Sequence, residues 1–588
     1  MKSFLKYLLA TMLGIILSSI LLFVILIGGI GAMVSSQDQP IKTKPHTVLH
    51  VELNQPIMDR GNNNPMENFD FTSFTPTQQL GLNDILKNIK KAKKDPNIDG
   101  IYLDLTYIQA GMATIEEIRN ALIDFKESGK FIISYSDNYT QPTYYLSSIA
   151  DKIYLNPEGL LIFVGLRSEM MFYKDALKKI GVEPQIIRHG KFKSYVEPYM
   201  YNKMSDENRK QIMAYMGSIW NYMLEGIAAE RGISVEKLNE IADNLSLKDV
   251  ELAETYGLID GLKYKDEILA ELAQRTGKID DKKIEHISLN KYTKVPDKKR
   301  KALAKNKIAV VYASGSMIMG EGGEGSIGSD RISRAIRKAR KDSSIKAIVL
   351  RVNSGGGAAL SADIIWREVK LAQETKPVVV SIGDVAASGG YYISAPAQKI
   401  IASPNSITGS IGVFGLFFTG KELLNDKLGI HVDVAKTNKF SDIGSFTRPF
   451  SSEEREVFQY MIEDTYDDFI TKVGEGRYMT KEEVDEIGQG RVWSGVNAIE
   501  NGLIDDFGGL NDAIELAAKF AKIESYRIID LPKLKDPFQV FLEELQGNVK
   551  ASILKRELGT EYKYYNAIKD VTNHQGIQAR MPYEVDLY

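Results

Sequence analysis

Ser388 stands among the smallest side chains the chain has to offer. The run Gly383-Asp-Val-Ala-Ala-Ser388-Gly-Gly-Tyr-Tyr392 follows a β-like stretch and opens a helix-like one. Ala386, Ala387, Gly389 and Gly390 let a substrate backbone approach the hydroxyl. A helix N-terminus turns free N–H groups and a partial positive charge toward the same point. This is the logic of a serine nucleophile on a sharp elbow, although the Gly-x-Ser-x-Gly spelling is absent. A plain N-cap serine fits the same local pattern. A second loop, Asn353-Ser-Gly355-Gly356-Gly357-Ala-Ala, follows another β-like run. Three glycines at a strand end can turn N–H groups inward as an oxyanion hole. No Gly-Lys-Ser/Thr follows them, so the loop is not a phosphate-binding P-loop.

A serine needs a base. His431 lies 43 residues downstream with no paired carboxylate pattern, and His46, His50, His286 and His574 have no motif around them. The stronger candidate is a lysine in Gly190-Lys-Phe-Lys193-Ser-Tyr-Val-Glu-Pro198. An exposed lysine with no special role would also fit that stretch taken alone.

The elements that must position these residues occur twice. Ser134 to Ser147 aligns with Ser381 to Ser394 at a constant offset of 247, so that Asp137 matches Asp384 and Tyr144-Tyr145 match Tyr391-Tyr392. Lys94–Leu103 aligns with Lys341–Leu350 at the same offset, Gly181 with Gly429 at 248, and Gly257–Asp260 with Gly502–Asp505 at 245. A period near 245 is a tandem duplication, far longer than the 20–50 residues of a solenoid repeat. The copies differ where chemistry would sit. Gln141 replaces Ser388, Thr106–Met112 lacks the glycine run, and Lys193 faces Ser441, whereas Lys191 is matched by Lys439. Neither unit holds a complete set, so the chemistry is expected at the seam between them.

Each unit reads as short strands alternating with helices. In the second, strands are expected at Ile308–Tyr312, Ile345–Val352 and Pro377–Ile382, and helices at Asp330–Arg340, Ser361–Glu374 and Gly389–Ala397. That alternation predicts an α/β fold of β-α-β units with largely parallel sheets. Asn62–Gln79, rich in Asn, Pro and Thr, reads as a loop, and the charged Asp297–Lys305 as a solvated connection.

Composition narrows the function further. The chain has 588 residues, 44% of them hydrophobic, enough for large cores. A formal net charge of −3 argues against a general nucleic-acid binder. With no cysteine and no His-x-x-x-His pair, thiol chemistry and a zinc hydrolase are disfavoured, and no metal or cofactor is expected. Tyr7 to Ser36 contains no charged residue, and Lys2 and Lys6 precede it. A bilayer core needs about 20 apolar residues in a helix. The stretch therefore reads as one transmembrane helix with its short N-tail in the cytoplasm and everything beyond residue 36 outside. A cleaved signal peptide is the alternative, although its apolar region would run only about 7–15 residues.

Four landmarks in order, Gly383–Tyr392, Thr408-Gly-Ser-Ile-Gly-Val413, Gly190–Pro198 and Gly490-Arg-Val-Trp-Ser-Gly495, resemble the long, duplicated form of bacterial signal peptide peptidase A, or protease IV. The resemblance spans nearly the whole chain. It implies a membrane-anchored Ser-Lys endopeptidase of the cytoplasmic (inner) membrane, with its catalytic part facing the periplasm or cell exterior and acting on peptides such as cleaved signal peptides. It also implies a Clp-protease/crotonase-like fold in each unit and a homotetramer. By motif, Ser388 is the nucleophile and Lys193 the general base. The N–H groups of Gly389, Gly356 and Gly357 form the oxyanion hole, and Thr408, Gly409, Ser410, Ile411, Gly412 and Val413 line the substrate pocket. Gly355 stands where the family usually has proline, which loosens the loop. The implied organisation is an anchor at 1–36, a lysine-bearing unit at 37–300, a serine-bearing unit at 301–535, and a C-terminal tail at 536–588 to which the sequence assigns no role. Two other classes remain compatible with such a fold: a crotonase-type acyl-CoA enzyme and a non-catalytic envelope scaffold.

Overall fold

The computed structural model describes residues 41–61, 79–278, 284–296, 304–535 and 576–581, the short pairs 69–70 and 75–76, and most of 3–21. Most of the predicted anchor, most of the Asn62–Gln79 loop and nearly all of the Asp297–Lys305 connection lie outside the described residues. Among the described residues no helix is long and apolar enough to cross a membrane.

The first unit is built on a parallel sheet of six strands, in the order Gly261–Leu262, Lys152–Leu161, Phe131–Tyr139, Ile98–Asp104, Thr47–Val51 and Glu285–Ser288. The second repeats the plan. Its strands run Val492–Ser494, Ile407–Gly409, Val378–Ala387, Ile345–Ser354, Lys307–Ser314 and Arg527–Leu531, with Lys399–Ala402 branching from Val378–Ala387 to Asp506–Phe507. Only Val492–Ser494 runs antiparallel in that path. Central strands such as Lys307–Ser314 are continuous apolar runs, as burial on both faces demands.

The duplication persists at the level of single bonds. Tyr144 Oη donates to Leu258 O, and Tyr391 Oη to Leu503 O. Asp260 accepts from Ile153 N and pairs with Arg231, while Asp505 accepts from Ile400 N and pairs with Arg477.

Observed elements track the expected ones with one informative difference. The strand expected to stop at Ile382 continues to Ala387. Gly383 and Asp384 look like a break, but Val385–Ala387 take up a new parallel partner, Ile407–Gly409, after a register shift. That extension delivers Ser388 to the end of a rigid strand instead of a loop.

The two units interlock. Helix Met112–Lys126 of the first points its N-terminus at Asp384 of the second, which accepts from Thr114 N at 2.9 Å and Thr114 Oγ1 at 2.7 Å. An anion at a helix N-terminus is favourable there. Burial pushes the Asp384 carboxyl up, and the Thr114 bonds oppose that shift. One turn further along, Glu117 lies 2.7 Å from Arg351, whose Nε donates to Asp59 Oδ1 at 2.7 Å. All three side chains are buried. A third, mixed sheet spans the seam. Its order is Ser326–Gly328, Ser316–Ile318, Gly356–Ala358, Gly576–Arg580, Phe414–Thr419 and Glu183–Arg188. It joins strands from both units and from the segment that the sequence left unassigned.

Candidate active site

Ser388 follows directly on strand Val378–Ala387 and precedes helix Gly389–Ser394. Its φ of +54° with ψ of −116° is unusual for a residue with a side chain. Such strain persists only where the surroundings fix the backbone. They do so here, since Ser388 N donates to Gly409 O at 2.8 Å. The side chain is fully buried in the described structure.

Lys193 arrives from the first unit. Its Nζ lies 2.8 Å from Ser388 Oγ, 3.0 Å from Ser410 O and 3.1 Å from Ser410 Oγ. Among the described residues no carboxylate pairs with it, and burial holds its amine well below the ordinary lysine value. The lysine is fixed by a close approach of the two units. Gly490 has φ of +82°, and a Cβ there would lie 2.6 Å from both Lys193 N and Lys193 Cβ. Phe192 N donates to Gln489 O, and Gln211 Nε2 donates to Phe192 O and Ser194 Oγ while its Oε1 accepts from Val492 N. The buried Glu197 carboxylate accepts from Ser205 and Asn208 and closes the turn after the lysine.

The predicted oxyanion residues sit beside the serine. Gly356 N–H donates to Ser354 Oγ at 3.1 Å. What Gly356 supplies is clearance. Its φ is +95°, and a Cβ there would lie 2.0 Å from Ala579 O and 2.7 Å from Gly389 N. Gly357 pairs with Ala579, and a Cβ on Gly389 would lie 3.1 Å from Ala579 O. Met581 N donates to Gly355 O, the residue in the place of the usual proline.

Thr408–Val413, the predicted pocket lining, run alongside Ser388 and Lys193. Thr408 Oγ1 donates to Ala386 O, and Ser410 N donates to Arg491 O. Ile411 O accepts from Gly490 N, and Gly412 O lies 3.4 Å from Ser388 Oγ. Ile411 and Val413 belong to the second unit's core. The segment is the bed on which serine and lysine meet, and Ser410, with φ of +48°, holds the amine. In sequence terms Ser410 carried no signal beyond its place in a motif.

The matching position in the first unit is closed. Gln141 is buried, its Oε1 accepts from Val164 N and Gly165 N at 2.7 Å, and its Nε2 donates to Gly165 O. Lys193's counterpart in the second unit, Ser441, is exposed.

A buried serine hydroxyl beside a desolvated amine whose pKa is lowered by burial has the parts for addition to a carbonyl. The family described as Peptidase family S49 matches residues 124–278 and again 370–524. Protease 4 of Haemophilus influenzae is 38% identical over 450 residues, covering 75% of this chain and 73% of that protein. Protease 4 of Salmonella typhi is 36% identical over 487 residues, covering 81% and 78%. The chloroplastic serine protease SPPA of Arabidopsis thaliana is 33% identical over 511 residues, covering 85% and 74%. Two copies of the family domain, with relatives along most of both chains, place this protein in peptidase family S49, as a serine peptidase.

Proposed function

We propose that this chain is a membrane-anchored endopeptidase in which Ser388 and Lys193 form a catalytic dyad that cuts peptides such as cleaved signal peptides. The observation that carries the reading is the 2.8 Å approach of Lys193 Nζ to Ser388 Oγ with, among the described residues, no carboxylate paired with the lysine. An ordinary lysine is neutral only about once in 2,500 at pH 7, roughly 4.6 kcal/mol against a working base. Desolvation of the buried amine acts against that handicap.

In this reading neutral Lys193 takes the proton from Ser388 Oγ as the oxygen adds to the scissile carbonyl. The oxyanion faces Gly357 N–H and Gly389 N–H. Protonated Lys193 then gives its proton to the leaving amine, the C–N bond breaks, and water resolves the acyl-enzyme with Lys193 as base again. The first unit supplies the base and the second the nucleophile and oxyanion donors. Each unit is read as Clp-protease/crotonase-like, and the working form as a homotetramer. The uncharged Tyr7–Ser36 stretch is read as the single anchor in the bacterial cytoplasmic membrane, with the catalytic part on its outer side.

The test is paired substitution. Ser388→Ala and Lys193→Ala are each expected to abolish peptide hydrolysis in protein that retains its folded circular-dichroism spectrum. Near-normal rates in Lys193→Ala would move the base elsewhere, and near-normal rates in Ser388→Ala would end the dyad reading altogether.

A further inference from the structure

The unassigned tail places six residues in the active-site groove. Gly576–Arg580 is an inner strand of the mixed sheet, antiparallel to both its neighbours. On one side Gly356, Gly357 and Ala358 pair with Arg580, Ala579 and Gln578. On the other, Phe414, Gly415 and Leu416 pair with Gln578, Ile577 and Gly576. One neighbour is thus the glycine loop beside Ser388, and the other directly follows the Thr408–Val413 bed.

The register places a particular carbonyl. Met581 N donates to Gly355 O at 2.5 Å. In an antiparallel ladder bonded and non-bonded pairs alternate, so the next bonded pair is Gly357 with Ala579, and Gly357 N–H faces Ala579 O. A Cβ on Gly356 would lie 2.0 Å from that same oxygen, and one on Gly389 3.1 Å from it. Ala579 O therefore lies among Gly356, Gly357 and Gly389, the residues read as receiving an oxyanion, which puts the Ala579–Arg580 peptide bond next to the turn that carries Ser388. Ala579 is 1% exposed and Met581 4% exposed. Arg580, between them, donates to Ser316 Oγ and lies over the Tyr195 ring.

Both walls of the groove are held without this strand. Gly357 pairs with Met317 on its far side, and Phe414–Thr419 pair along six residues with Glu183–Arg188. Withdrawing residues 576–581 would leave two facing strand edges one strand apart, a receptor for an extended peptide.

We propose that Gly576–Met581 is a pseudosubstrate: it occupies the groove in the manner of a peptide to be cut and must leave before another peptide binds. The inference rests on Ser388 and Lys193 being the reacting pair. Because binding requires an open groove, apparent affinity falls by the open fraction. A groove filled nine-tenths of the time lowers kcat/KM by about tenfold.

The experiment compares the full chain with a chain ending at residue 575 and with full-length Ala579→Trp, whose indole does not fit a position 1% exposed. Peptide hydrolysis is followed at sub-saturating substrate, and folding by thermal denaturation. Both variants are expected to gain about tenfold in kcat/KM, mainly through KM, and a synthetic peptide of residues 576–581 is expected to inhibit the shortened chain competitively. Equal activity in all three would overturn the pseudosubstrate while leaving the dyad intact. Loss of activity in folded variants would also overturn it, making the strand a required wall of the site. No activity in any of them would remove the dyad reading and this inference together. If the shortened chain does not fold, Ala579→Trp decides.

Discussion

Gly490→Ala would test the seam without touching a reacting group. The new Cβ would lie 2.6 Å from Lys193 N and Cβ, whereas ordinary contacts begin at 3.4 Å, so the Lys193 backbone must retreat by the difference, about 0.8 Å. If Nζ follows, the 2.8 Å contact with Ser388 Oγ opens to as much as about 3.6 Å, beyond the ~2.6–3.2 Å reach of a working general base. Misplacement by about 1 Å can cost ~10²-fold. We expect kcat/KM to fall about 10- to 100-fold, or ~1.4–2.7 kcal/mol. Alanine at a φ of +82° also costs about 1–2 kcal/mol of stability. Gly429→Ala is the control: its φ is +66° and nothing lies within 4 Å of the added carbon, so it carries the backbone cost alone. Steady-state hydrolysis by both variants, with melting curves beside it, separates the effects. A folded Gly490→Ala enzyme within about threefold of the parent would refute the claim that this contact sets the position of the lysine.

Other outcomes follow from the same geometry. Hydrolysis is expected to need neutral Lys193, so kcat/KM should rise with pH through the lowered lysine pKa and then level off, with the acid limb set by this one group. Lys193→Met should be more stable than the parent at neutral pH by urea denaturation. The folded pKa lies below the unfolded value near 10.5, so the unfolded chain binds the extra proton between the two, and parent stability climbs with pH across that window. Each unit of depression costs the parent about 1.4 kcal/mol below the window, and the methionine removes it. Ser410→Ala deletes one of the lysine's acceptors but not the carbonyl, and kcat should drop only about 3- to 10-fold with KM little changed. Arg351→Met strands Asp59 and Glu117 in the interior and should cost about 3–5 kcal/mol in denaturant melts.

The sequence carried the repeat, and the repeat carried most of the site. Alternating apolar runs were enough to foresee strands such as Lys307–Ser314 and Ile345–Ser354, because central parallel strands must be apolar on both faces. Comparing the copies drew attention to Lys193 and Ser388, the positions where one unit lacks what the other holds. What stayed hidden depends on tertiary approach. Gly490 matters because its missing Cβ admits Lys193, a fact with no local signature. Ser410 reads as part of a Thr-Gly-Ser turn until the fold brings an amine to it. The Gly356 amide could not be told from its neighbours until Ser354 Oγ was placed. Gly-Ile-Gln-Ala-Arg-Met has no β-rich pattern, and its strand exists only because two other strand edges receive it.

The order of residues along the chain also sets a clock. Lys193 is made early, Ser388 nearly two hundred residues later, and Gln489 and Gly490, which hold the lysine, about a hundred after that. Since chains emerge from the N-terminus and fold domain by domain, synthesis must pass residue 490 before the proposed base is held against the proposed nucleophile. On the dyad reading, a nascent or broken-off half is expected to be inactive. On the same reading, splitting a two-residue site across a duplicated fold keeps the chain inactive during synthesis, with no separate inhibitor needed until the two halves have met.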